Sequence, residues 1–165
     1  MKKIMLLLFI IFMPVISCAP VLAADLLDGI VPLGQDHAQM TWYLLNSGRT
    51  SGTGDPFAVV RKYYTNVGVK NETIELLMSK FGLDAEKAGN LYFTEYVYHY
   101  SKDLQMFAVG YIRHYDMVDQ IIHRTEFDGL TNETMLTWVG VVQGGPSGLA
   151  LDVVRRRERI SAPRR

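Results

Sequence analysis

Between Phe93 and Ile122 an apolar stripe recurs at three- and four-residue intervals: Phe93, Tyr96, Val97, Tyr100, Leu104, Phe107, Ala108, Tyr111, Tyr115, Val118 and Ile122. That spacing is one face of an α-helix, and everything else in the chain must then pack around it. The stripe reads as one long central helix or as two helices bent near Gly110. Tyr92 to Tyr100 is strand-like in composition, yet the longer helical stripe absorbs it, and no stretch shows a convincing strand alternation. The other segments follow suit. Asp36 to Asn46 sets Ala38, Trp42 and Leu45 on one side. Asp55 and Pro56 suit the N-cap and first position of a helix whose apolar side is Phe57, Val60, Tyr64 and Val67. A section from Thr134 to Val142 and an Arg-rich helix from Leu149 to Ile160 complete the set. The fold expected is all-α, an irregular bundle of five to seven helices around the central one.

Glycine marks the joints. Ser47 to Gly54 reads as a mobile, glycine-rich linker, and Gly144-Gly145-Pro146-Ser147-Gly148 as a turn. Phe81-Gly82-Leu83-Asp84 is a helix-to-helix corner. Gly68-Val69-Lys70-Asn71-Glu72-Thr73-Ile74 and Gly129-Leu130-Thr131-Asn132-Glu133-Thr134-Met135 share Gly, Asn, Glu and Thr in register. Both suit a corner in which Gly takes a left-handed C′ conformation and Asn or its neighbour caps the next helix. Asn71 and Asn132 also open N-glycosylation sequons, read here as caps.

The amino terminus supplies an address. Lys2 and Lys3 precede an apolar run from Ile4 to Ile16, and Val21-Leu22-Ala23 suits cleavage before Ala24. That is the layout of a secretory signal, too short to be a comfortable membrane span. Val15-Ile16-Ser17-Cys18 resembles the lipobox of bacterial lipoproteins. The resemblance implies that Cys18 becomes an acylated N-terminus, with Ala19 giving no signal for inner-membrane retention. The organisation expected is a signal peptide over 1–23, one helical domain over 24–154 and a basic tail over 155–165. The location expected is periplasmic or secreted, with an outer-membrane lipoprotein as the alternative. Cys18 is the single cysteine, so cleavage after Ala23 leaves no disulfide, thiolate nucleophile or Cys-based metal site. About 140 mature residues suffice for one core without such staples.

Charge is balanced overall but uneven along the chain. Without Lys2 and Lys3, 15 basic residues face 17 acidic ones. The segment from Asp152 onward carries six arginines, among them Arg155, Arg156, Arg157 and Arg159, against Asp152 and Glu158. Such a patch can contact an anionic surface. It equally suits a solvated last helical turn, where cations complement the dipole. Nucleic acid does not fit this compartment and net charge. Membrane contact is expected only through a lipidated Cys18 or the Arg-rich tail.

Chemistry is sparse. Glu95 with His99, and Asp119 with His123, are spaced to project from one helical face. Facing helices can assemble such pairs into a metal or acid–base site, so a metal-assisted hydrolase is the alternative reading. Surface ion pairs are the plainer account. No phosphate loop or nucleophile elbow is present, and no cofactor is called for. The tyrosines crowd into 63–64 and 92–115, a residue type enriched at interfaces. The function expected is that of a non-catalytic envelope protein that binds another protein or itself. It would be a secretion or conjugation accessory component, or a periplasmic inhibitor or immunity-type protein. Arg49, Thr50, Ser51 and Thr53 would form the inserting loop.

Overall fold

The computed structural model describes residues 29–127 and 136–161, and it overturns the all-α expectation. The described residues are mostly β: a curled antiparallel sheet, shaped like a half-barrel, with three helices among them. Strands β1 (Val31–Gln35), β2 (Thr41–Arg49), β3 (Pro56–Tyr63), β4 (Phe93–Tyr100), β5 (Met106–Tyr115) and β6 (Ile121–Glu126) lie side by side in chain order. A short β7 (Val139–Gly140) pairs with the start of β5. Helices α1 (Val67–Phe81) and α2 (Ala85–Gly89) are inserted between β3 and β4, and α3 (Pro146–Ser161) ends the described chain.

The stripe from Phe93 to Ile122 is therefore three strands and two turns, and the cause of the misreading is physical. Strand neighbours point to opposite faces, so Phe93 and Val97 lie on one face while Tyr96 and Tyr100 lie on the other. All but one residue of β4 are buried. A strand covered on both faces is apolar at nearly every position, and such a run satisfies a helical spacing as readily as a strand one. The enrichment of β4 in aromatic and β-branched residues was the better guide. Pro56 likewise opens a strand, not a helix. Of the segment from Asp36 to Asn46, the first part is a turn and the rest is β2.

Two turns share one construction. Asp36 Oδ1 accepts the amides of Ala38 (2.9 Å) and Met40 (3.0 Å), and Asp116 Oδ1 accepts those of Val118 (2.9 Å) and Gln120 (2.8 Å). In each, the fourth residue takes a left-handed backbone, Gln39 at φ 60° and Asp119 at φ 61°. Asp36 Oδ2 also accepts the indole N–H of Trp42 at 2.8 Å, so this turn is tied to the core. These aspartates act as turn residues, not as helix starts.

The supposed linker from Ser47 to Gly54 is the end of β2 and a β-hairpin turn. Arg49 Nη1 donates to Gly54 O at 2.9 Å, and the hydroxyls of Thr50 and Thr53 lie 2.7 Å apart. Gly68 sits in the first turn of α1, whose cap is Asn66; Gly129 to Met135 lies outside the described residues. Phe81 to Asp84 is a corner as expected, with Gly82 left-handed at φ 68° and Asp84 capping α2.

All three helices lie on one face of the sheet. Ala150, Leu151, Val153 and Val154 of α3 pack with Met40, Trp42, Leu44, Ala58, Val60, Tyr98 and Tyr100. The Tyr100 hydroxyl donates to Ser147 O at 2.7 Å beneath the helix start. A smaller cluster joins Leu77 of α1, Ala88 of α2, Leu91 and Ile122. No helix among the described residues is long and apolar enough to cross a membrane.

Candidate functional site

The sheet presents polar side chains in two arrays, one on each face. On the face that no described helix covers, the register aligns Tyr43, Arg61, Glu95, Arg113 and Arg124 across β2 to β6. The neighbouring row is Thr41, Tyr63, Phe93, Tyr115 and Ile121. Arg61 lies flat on Phe93, 3.8 Å from the ring centre, and Arg113 lies on Tyr111 at 4.1 Å. Glu95, only 9% exposed, sits between the two guanidiniums, 3.6 Å from Arg61 Nη2. Arg113 also pairs with Glu126 at 3.2 Å. The Tyr115 hydroxyl is pushed up to about 12, first by burial and then by its bond to Glu95. Tyr63 meets Tyr43 and Tyr92 edge-on at 5.7 Å, an arrangement that suits the ring quadrupoles. The result is a rigid aromatic surface with fixed guanidiniums.

His99 lies further along this face. Its Nε2 makes no hydrogen bond within the protein, and burial pushes the imidazole below its ordinary range, against the opposing charge of Asp55. Gly110, the extra residue of a bulge in β5, makes room for it. A Cβ there would stand 2.5 Å from His99 Nε2 and 2.7 Å from Val97 Cγ1.

Under the helices the register aligns Lys62, Thr94, His114 and His123 across β3 to β6. Tyr64, beside this row, packs against both apolar clusters. Tyr64 and Thr94 hydroxyls lie 2.7 Å apart, and Thr94 Oγ1 lies 2.9 Å from His114 Nδ1. Burial works to lower the Lys62 ammonium, but the Tyr96 and Tyr64 hydroxyls outweigh it and hold it above its ordinary value. Its Nζ also faces the rings of Tyr64 (4.6 Å), Tyr96 (5.6 Å) and Trp42 (6.0 Å). The His114 imidazole is lowered to about 4, by burial first, then by His123 and Lys62.

The residues singled out for a metal are divided by this architecture. Glu95 and Asp119 both approach Arg61, Asp119 at 4.0 Å from the β5–β6 turn. His99 lies four residues along β4 from Glu95, about 13 Å at the usual strand rise. His123 is on the opposite face, against Phe81 with ring centres 4.3 Å apart. Among the described residues no three His, Cys, Asp or Glu are grouped to hold a metal.

The basic patch belongs to α3, and much of it is engaged. Arg155 pairs with Asp152 at 3.8 Å, while Arg157 donates to Ser47 Oγ and Gly29 O, both at 2.9 Å. Arg156 borders a cavity of about 450 Å³ between α3 and β1, and Arg159 is exposed in the last turn. Arg49, of the proposed loop, pairs with Glu158 at 2.6 Å. Thr50 is half-buried, and Ser51 and Thr53 are exposed at the hairpin tip. Cys18 lies outside the described residues.

Arg61, Lys62, Thr94 and Arg113 were not among the candidates, and His114, noted with the polar residues of the stripe, was not placed in the metal set, because their alignment exists only in a sheet. One signal was available. His114 lies four residues before Val118 and His123 five after it, the odd residue being taken up by a register shift beside the turn, so recognising the turn from Asp116 to Gln120 brings them close. The architecture defines a meander sheet with the described helices packed on one face and none of them on the other. Compared with protein-family models, curated proteins and solved structures, the chain gives no match.

Proposed function

We propose that the protein is an exported, non-catalytic binding protein of a bacterial envelope, and that the sheet face that no described helix covers is the surface that engages another protein. One observation carries the reading: Tyr43, Tyr63, Tyr92, Tyr111 and Tyr115 stand with Arg61 and Arg113 on a face that no described helix covers. Tyr and Arg are the residues that most often supply binding energy at protein interfaces. Here they are already held by stacking and ion pairs, so little side-chain entropy remains to be lost on association. The signal-like amino terminus supports the compartment. A second copy of the chain is the other partner this face suits.

The test is capture of partners from native envelope extract by the tagged mature chain, beside a Tyr63→Ala/Tyr92→Ala variant whose fold is checked by circular dichroism. A partner retained by the natural chain and lost by the variant supports the reading. At hot spots a loss of about 2 kcal/mol corresponds to roughly 30-fold in Kd. Equal retention by both chains contradicts it.

A further inference from the structure

The histidines beneath α1 and α2 carry an inference independent of partner binding. His114 and His123 face each other directly across β5 and β6, with ring centres 6.0 Å apart. His114 is 7% exposed and held through Nδ1 by Thr94. His123 Nε2 lies 3.3 Å from the Thr125 hydroxyl, and its ring is covered by Phe81 at the end of α1. The charges that act on the pair are basic, Lys62 of β3 on His114 and Lys87 of α2 on His123, and the Lys80 ammonium of α1 lies 5.8 Å from the Phe81 ring that covers His123. Tyr64 adds only a neutral hydroxyl through Thr94. Among the described residues neither imidazole has a carboxylate in an ion pair or hydrogen bond.

The cover above them is lightly held. Leu77 is the single buried residue of α1, while Val67, Leu76 and Met78 are 70%, 48% and 39% exposed. The hairpin's cluster has four buried members, against eleven in the cluster under α3.

We propose that His114 and His123 make the α1–α2 hairpin an acid-released flap: a proton on either imidazole adds charge to a covered pair that already faces Lys62 and Lys87, and lifting the hairpin hydrates it. Neutral imidazoles keep the flap closed. Once the flap lifts, each imidazole binds protons at its ordinary value near 6.5, so opening is favoured increasingly as pH falls below that point. From the lowered value of His114, about 4, the open population rises about 30-fold between pH 7.5 and pH 5. His123, also lowered by burial and Lys87, adds to this. The opened flap bares the apolar residues of its own cluster, so the device can expose a new surface on acidification.

Hydrogen exchange on the mature chain tests the proposal, with rates corrected for intrinsic pH dependence. Residues 67–91 should lose protection by about 30-fold or more between pH 7.5 and pH 5, while β2, β3 and α3 keep theirs. His114→Gln, which keeps a hydrogen-bonding group for Thr94, should reduce that pH response. Protection of 67–91 that does not change with pH, or that is lost together with β2 and β3, overturns the proposal. Should the variant not fold, NMR titration of the natural chain decides. Imidazole titrations well below 6.5 support the flap, and both near 6.5 overturn it.

Discussion

Helices α1 and α3 are nearly the same length, 15 and 16 residues, and the sheet treats them differently. Helix α3 places Ala150, Leu151, Val153 and Val154 in the main cluster, is anchored by Tyr100 through Ser147, and reaches back through Arg157 to β2 and Gly29. Helix α1 fully buries Leu77 alone, with Ile74 and Val69 partly buried against the two clusters. Helical stability in proteins comes mainly from packing an apolar face, so α3 is part of the scaffold and α1 is an attachment to it. Segments with few buried contacts are where local opening takes place, which is why the titratable pair lies under α1 with consequence.

The comparison can be broken by truncation. Leu151→Ala should lower global stability by about 3 kcal/mol, within the range for buried leucines, seen as a lower urea midpoint with the slope unchanged. Leu77→Ala should strip exchange protection from 67–91 and leave that of β2, β3 and α3 in place. Equal effects of the two on the whole molecule would erase the distinction.

Acid should sharpen it. Because the folded-state value of His114 is depressed, the unfolded chain takes up its proton first, so stability falls as pH drops from about 6.5 towards 4. Over that window the loss is about 3 kcal/mol at 1.4 kcal/mol per pH unit. Chemical denaturation at pH 7 and pH 4.5, with the natural chain beside His114→Gln, checks it; the variant's curve should move less.

On the uncovered face, Gly110→Ala should cost about 1–3 kcal/mol, as overpacking does, because the new methyl meets His99 and Val97. The thermal midpoint reads it, and His99→Ser should return part of the loss by clearing one of the two contacts. The smallest effect is a gain. Gln39→Gly relieves a left-handed backbone at φ 60° and should stabilise by about 0.5–1 kcal/mol.

What was legible in the chain was local. The corner at Gly82 and Asp84 and the helix following Pro146 follow from caps and glycines, which act within a few residues. The strands did not follow, because β4 is buried on both faces and its identity depends on what stacks against it. With the strands hidden, the rows that align Arg61 with Glu95 and His114 with His123 were hidden too. Glu95 and His123, grouped by their chemistry into one candidate metal set, stand on opposite faces of a sheet. Asp36 and Asp116, read as turn residues, would have exposed the error.

Hydroxyl-radical footprinting of the complex captured from envelope extract locates the partner on the molecule. Tyr43, Tyr63, Tyr92, Tyr111 and Tyr115 should become protected on binding, while Leu76 and Met78 of α1 react as in the free chain. Protection confined to α1, or to the β2–β3 hairpin tip at Thr50 to Thr53, with the uncovered face still reactive, would contradict binding through the sheet face.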